Sequence, residues 1–195
     1  MRSAHAFHPP TRSRSRTRAG RRMTPVSWRR ATVDDAEALS YLGAATFLAT
    51  FAFDHPGKPL IEHLNSEHSV GYYKTKLVDP AVEIVIGETP LGAPVGYVMM
   101  TAPEHPDLQQ DGDLELKRIY LLGPWQGGGN GRALMDQALQ VAQKRQAKRL
   151  LLAVYESNSR AVAFYERAGF RHIGETVFMV GDMPFRDMVY ARDMN

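Results

Sequence analysis

The 195-residue chain contains no cysteine, which excludes disulfides, thiolate zinc sites, iron–sulfur clusters and a cysteine nucleophile. It has no apolar stretch near the about 20 residues needed to cross a bilayer; runs such as Leu150–Tyr155 are far shorter. No internal repeat and no G-x-S-x-G nucleophile elbow is present. The G-x-G-x-x-G dinucleotide fingerprint is missing too. Counted from Gly127 its last position is Arg132, and counted from Gly129 it is Leu134. A phosphate-binding P-loop fails because Gly131 is followed by Arg132 and Ala133.

Acidic residues are absent from positions 1–22, which carry seven arginines. Of 24 Lys and Arg in the chain, 17 remain beyond that stretch, against 21 Asp and Glu, a balance of −4. The high isoelectric point therefore belongs to the tail. The mildly acidic remainder argues against a nucleic-acid surface and leaves room for a cationic substrate. Residues 1–22 have few apolar residues and no periodicity, so they are expected to be disordered. A transit peptide, a nucleic-acid-binding arm, or a start codon placed ahead of Met23 would each explain them; the last is the simplest. Residues 23–195 then form a single domain. Its 44% hydrophobic and 23% charged composition is ordinary for a globular protein.

Hydrophobic periodicity predicts a strand over 26–30 and a helix from Thr32 to about Thr50, with Ala36, Leu39, Leu42 and Phe47 near one face. A loop over 52–59 precedes a broken or bent helical region over 60–77. A hairpin over 82–87 and 95–101 follows, then a loop over 102–112 and a strand over 113–122. The Gln126–Gly131 loop leads into a helix whose buried face carries Leu134, Ala138, Val141 and Ala142. A buried strand over 149–154, a helix over 159–168 stopped by Gly169, and strands over 171–180 and 185–192 close the chain. The order is mixed α/β, with parallel pairing in the second half and antiparallel pairing elsewhere.

Two segments carry chemistry. A glycine loop between a strand and a helix can hold an anion on backbone N–H groups, or it can be a flexible connector. Asn158 closes a buried strand, and Tyr165 lies seven residues on, about two helical turns, so both can face one cleft. Alone, Tyr165 reads as a half-buried core aromatic. Among seven histidines, His5 and His8 lie in the tail. His63 and His68, five apart, would sit about 140° from one another on a helix and could not share a metal. Surface histidines and no metal site are expected.

Together these segments resemble the GNAT superfamily of N-acetyltransferases, over about Val26–Met194. Gln126–Gly131 matches [QR]-x-x-G-x-[GA], and Ala161–Phe170 matches A-x-x-F-Y-x-x-x-G-F. Softer likenesses point to the PaiA-type polyamine (spermidine/spermine) N-acetyltransferases. They are Thr46-Phe47 with Thr50-Phe51, Glu115–Tyr120, Glu156–Asn158 and Phe178–Asp182. The chain departs from the superfamily at Gly128 and Asn130, and carries Tyr155 where PaiA-like proteins commonly have Trp.

The resemblance implies a GNAT fold: an α/β domain with a twisted, mixed, mostly antiparallel sheet of six to seven strands and about four helices. It implies a cytoplasmic acyltransferase moving an acetyl group from acetyl-CoA to a small-molecule primary amine, a polyamine among the candidates. Other readings are an amino acid or a peptide or protein N-terminus as acceptor, or a non-catalytic CoA-binding module. No nucleic acid, membrane or metal is implied, and a homodimer is compatible with it. Ile119, Tyr120 and Leu121 would bind the pantetheine arm as an added strand would. Gln126, Gly127, Gly128, Gly129, Asn130, Gly131 and Arg132 would cradle the pyrophosphate, and Asn158 would complete the cofactor site. Glu115 would act as base, directly or through water; it is otherwise an exposed strand glutamate. Alternation puts Glu115 and Ile119 on one face unless a β-bulge intervenes. Tyr165 would hydrogen-bond the leaving sulfur, since an ordinary tyrosine is too weak an acid to protonate it readily.

Overall fold

The computed structural model describes residues 25–194; the arginine-rich tail and the assignments made on it lie outside the described residues. Seven strands form one sheet in the order β1-β2-β3-β4-β5-β7-β6. They are β1 (Ser27–Arg30), β2 (Glu83–Glu88), β3 (Pro94–Thr101), β4 (Asp113–Leu121), β5 (Arg149–Tyr155), β6 (Arg171–Val180) and β7 (Met183–Asp193). The helices are α1 (Ala36–Phe51), α2 (Gly57–Glu67), α3 (Val70–Val78), α4 (Asn130–Lys144) and α5 (Ser159–Arg167). The bent helical region of the sequence is realised as two helices. The chain breaks at His68, and Ser69 restarts it by accepting the N–H of Tyr72 at 3.1 Å.

Parallel pairing occurs at one place, between β4 and β5, which α4 connects. The strand that follows α5 does not join β5, because β7 inserts between them and pairs antiparallel to both.

Helices cover both faces of the sheet. On one face Leu134, Ala138, Val141 and Ala142 of α4 pack with Leu114, Leu116, Leu150 and Leu152 from the strands. On the other, Ala36, Leu39 and Leu42 of α1 and Tyr73 of α3 pack on Ile84, Ile86, Tyr97 and Met99. A smaller cluster of Phe47, Leu60 and Val180 seals α1 and α2 against β6. Near β1, Arg29 binds both Asp35 and Glu88, while Asp35 also accepts the Thr32 N–H at 2.7 Å. Asp35, just ahead of α1, thus ties the helix start to the sheet edge.

Candidate active site

The sheet opens in its middle. β4 pairs with β5 only where Asp113–Glu115 lie against Arg149–Leu151; beyond Glu115 the two strands separate. On its other side β4 stays paired to β3 through Leu121. The Leu122 N–H donates to Val95 O at 3.0 Å, toward β3. By alternation Tyr120 also addresses β3, while Ile119 and Leu121 turn their N–H and C=O groups into the gap. So, of the three residues assigned to the pantetheine arm, Ile119 offers its N–H and C=O there and Leu121 its N–H. Tyr120 instead sends its side chain into a cavity. The Leu121 carbonyl already accepts from Gln126 Nε2 at 3.0 Å, so the Gln126 side chain moors the following loop to β4.

In that loop Gly127, Gly128 and Gly129 have φ of 90°, 56° and 94° in succession. A run of left-handed residues is cheap only for glycine. A Cβ on Gly127 or Gly129 would meet nothing within 4 Å, so backbone conformation, not crowding, selects glycine there. The loop is exposed and leads into the first turn of α4, whose N–H groups and helix dipole favour an anion. Arg132 is exposed in that first turn. Asn130 is buried, and its Nδ2 donates to the Trp125 carbonyl at 3.0 Å; its side chain holds the loop in shape and does not face outward.

Asn158 and Tyr165 do not share a cleft through their side chains. Asn158 Oδ1 accepts from Ala161 N–H at 3.2 Å and caps α5. Tyr165 is buried, with its ring 5.5 Å from Phe164 and 6.0 Å from Phe170. Burial pushes its hydroxyl pKa well up, with Tyr120 adding to the rise.

A cavity of about 720 Å³ lies on the α1–α3 side of the opening, walled by α2, α3, β4, β6 and β7. Glu115, Lys117, Arg118 and Tyr120 of β4 all reach it. Strict alternation forbids this set, and a β-bulge explains it. Met99 pairs with Arg118 and Met100 with Leu116, which leaves Lys117 as an extra residue. The bulge falls between Glu115 and Ile119, so Glu115 faces the cavity and Ile119 packs with the α4 core. The sheet therefore does not place Glu115 and Ile119 on one face.

Glu115 is no exposed strand residue; it is 2% exposed. Its Oε2 accepts the Glu104 N–H at 2.9 Å, and Oε1 lies 3.5 Å from both His105 Nε2 and Lys117 Nζ. Burial acts to raise its pKa, but His105, Lys117 and the Glu104 N–H outweigh burial and hold it below the usual carboxylate range. Such a group stays ionised and is a weak base.

Asp187 of β7 is the carboxylate that sequence reasoning missed. It is 8% exposed, lines the same cavity and pairs in register with Tyr155 at the end of β5, beside the opening. Burial raises its pKa to about 6, against smaller lowering by His105 and Lys117. That value suits a base near neutral pH. The FRDM stretch carried no local signal for this role, which comes from what packs over it.

Of the five described histidines, His172 is at the surface, as expected, and the other four are not. His55, His63, His68 and His105 are all buried. Because the helix breaks after Glu67, the rings of His63 and His68 approach to 5.8 Å instead of diverging. His68 Nδ1 lies 3.1 Å from the Tyr73 hydroxyl, which lies 2.5 Å from that of Tyr97 and accepts from Arg118 Nη1 at 3.3 Å. Burial, then Arg118 and His63, push the His68 pKa down to about 2, so the ring is neutral. Among the described residues no group of three or more His, Asp or Glu is arranged to hold a metal.

An opened sheet, a glycine loop on a helix N-terminus and an adjoining polar cavity together match a known architecture. The profile of the acetyltransferase (GNAT) family matches residues 47–170. The chain belongs to the GNAT acetyltransferase family. An uncharacterized N-acetyltransferase of Mycobacterium tuberculosis is 29% identical over 160 residues, covering 82% of this chain and 98% of its own. The spermine/spermidine N(1)-acetyltransferase of Bacillus subtilis is 32% identical over 86 residues, 43% of this chain and 57% of the relative. Among solved structures, the PaiA N-acetyltransferase of Thermoplasma acidophilum in complex with coenzyme A superposes with a TM-score of 0.71. Its identity is 16%, over 87% of this chain and 99% of that one. The spermidine/spermine N-acetyltransferase SpeG of Vibrio cholerae superposes with a TM-score of 0.60 at 19% identity, over 87% of this chain and 92% of that one. The GNAT fold is thus shown, and with it an acyltransferase. No helix among the described residues is long and apolar enough to cross a membrane.

Proposed function

We propose that this GNAT chain transfers an acetyl group from acetyl-CoA to a primary amine by direct attack. The observation that carries the reading is the opened β4–β5 pair lying beside a cavity that holds Asp187. The backbone of Ile119 and Leu121 would bind the pantetheine amides as an added strand does. The N–H groups of Gly127–Arg132 and the Arg132 charge would hold the pyrophosphate. When bound, acetyl-CoA supplies an activated thioester. The chain's own role is to orient the amine and manage its protons.

An alkylamine is protonated at neutral pH and has no lone pair to attack with. Asp187, ionised above about pH 6, would take its proton at the mouth of the opening. Glu115, fixed by Glu104, His105 and Lys117, would supply a negative field and keep the β4 bulge in shape. Tyr165, with its acidity suppressed by burial, would donate a hydrogen bond to the sulfur without giving up its proton. Supply of acetyl-CoA favours the cytoplasm as location.

Polyamines are the acceptors named for two of the relatives, and a carboxylate-lined cavity is consistent with a polycation. A second reading, an amine bearing a carboxylate, is favoured by the groups around His68. The test is turnover by the purified chain of acetyl-CoA with a panel of amines, followed by release of the CoA thiol, together with calorimetric titration of acetyl-CoA. Binding without turnover of any amine would leave a silent CoA-binding module; no binding would reject the reading.

A further inference from the structure

The deep end of the cavity presents donors. Arg118 is buried beneath the Tyr72 ring, its guanidinium carbon 4.6 Å from the ring centre, and its Nη2 reaches only the half-exposed Glu67 at 3.4 Å. Lys76 lines the same end over Tyr72 and has no ion-pair partner among the described residues. His68 is 1% exposed, lines the cavity, and its Nε2 has no hydrogen-bond partner.

Whether that nitrogen donates or accepts follows from its neighbours. Tyr97 is fully buried, and its hydroxyl has one partner, Tyr73. If Tyr97 donates to Tyr73, then Tyr73 accepts from Tyr97 and Arg118 and gives its own proton to His68 Nδ1. Every hydroxyl is then satisfied, and His68 carries its proton on Nε2. The reverse direction leaves the buried Tyr97 proton with no acceptor, which a buried network disfavours. Being neutral, His68 has one N–H, an unpartnered donor on a ring that lines the cavity.

A polyamine offers donors alone. It cannot satisfy this N–H and would place ammonium groups beside Arg118 and Lys76. Most of the cavity carboxylates are already engaged: Glu67 answers Arg118, Glu104 and Glu115 answer Lys117, and the exposed Glu62 lies 3.9 Å from Lys58. Asp187 remains, on β7 beside the opening. The cavity thus offers one buried carboxylate without an ion-pair partner among the described residues beside the opening, and an orphan donor near Arg118 and Lys76 by α3.

We propose that the acceptor is a small amine that also bears a carboxylate, of the amino-acid class, with His68 Nε2 and Arg118 recognising the carboxylate while its amine lies toward Asp187. This rests on the acetyl-transfer reading above and narrows its substrate.

Matched pairs test it: amino acids against their decarboxylated amines, with spermidine alongside, compared by kcat/KM. The amino acids should lead by about 10- to 100-fold, the loss of one or two hydrogen bonds to a charged group. His68→Leu should abolish that lead through KM for the amine, leaving KM for acetyl-CoA unchanged, and His68→Gln, which keeps an N–H, should restore some of it. Independently, long-range proton–nitrogen NMR of the imidazole should show the proton on Nε2. Spermidine or decarboxylated amines turning over as well as the amino acids would overturn the proposal while sustaining acetyl transfer. So would a proton on Nδ1, or His68→Leu retaining the preference. Turnover of no amine at all would remove the transfer reading and this proposal with it. If His68→Leu does not fold, the substrate pairs and the NMR on the unmodified chain decide alone.

Discussion

Arg149 grips Asp113 through two hydrogen bonds, Nε to Oδ1 at 3.0 Å and Nη2 to Oδ2 at 2.6 Å, at the first pairing position of β4 with β5. The pairing of these strands ends two residues later, at Glu115 and Leu151. The bidentate pair, with the Asp113 side chain buried, therefore clamps the closed end of the opening. Asp113→Ala should leave the Arg149 charge half-buried without its partner. Destabilisation of about 1–3 kcal/mol is expected by urea unfolding, with weaker acetyl-CoA binding as the wedge loses its fixed corner. Unchanged stability would mean that β3 and β7 alone hold the geometry.

Gly129→Glu should abolish acetyl-CoA binding. The new side chain has space, but its φ of 94° strains a non-glycine residue, and its charge opposes phosphate at the start of α4. Calorimetric titration checks this. Normal affinity would show that phosphate is held elsewhere.

Asp187 should govern the pH dependence. Its folded pKa is raised to about 6, so kcat/KM should climb as pH rises through about 6 and then level. The same shift bears on stability with the opposite sign. A carboxyl whose folded pKa is raised favours folding when protonated, and that contribution is lost as pH rises from about 4 to about 6. Asp187→Asn keeps the neutral form at every pH. It should lower kcat by about 10²- to 10⁴-fold, remove the acidic limb, and raise Tm at neutral pH. An intact limb in the variant would take the base role away from Asp187.

Tyr165→Phe removes a hydroxyl for which the described residues provide no hydrogen-bond partner, and keeps the packing on Phe164 and Phe170. The fold should survive. If the hydroxyl serves the leaving sulfur, kcat should fall about 10- to 1,000-fold with acetyl-CoA affinity little changed. Full activity would make Tyr165 a core aromatic and nothing more.

Gly43→Ala should disturb the histidine network from outside the cavity. A methyl there would collide with His68 Nδ1 and the Tyr73 hydroxyl, both on buried rings. Overpacking of this kind costs about 1–3 kcal/mol, readable as a drop in Tm. An unchanged Tm would show that the α1–α3 contact yields.

The features of the site that were legible in the sequence are those whose geometry is local. Three adjacent glycines before an amphipathic helix imply a left-handed turn at a helix start, and Gly169 after α5 implies a C′ stop. The alternation that delimits β4 is equally local. What escaped depends on contacts distant in the chain. Lys117 is an extra residue only because Met99 and Met100 keep regular pairing opposite it. His63 and His68 diverge on a continuous helix but converge once Ser69 restarts the chain. Asp187 gains its raised pKa from burial, which nothing in the residues beside it announces.

The divergence of β4 from β5 also gives the molecule an unusual pattern of amide protection. Ile119 and Leu121 lie on the central strand of seven, where amides are ordinarily the slowest to exchange. Their N–H groups nevertheless face a gap, so in the free protein they should exchange with solvent like those of a sheet edge. Occupation of the gap by a ligand that continues the ladder should slow them selectively, while Tyr120, bonded toward β3, stays protected throughout. Deuterium uptake along β4 would then alternate residue by residue, giving a direct readout of whether the sheet is open or complete.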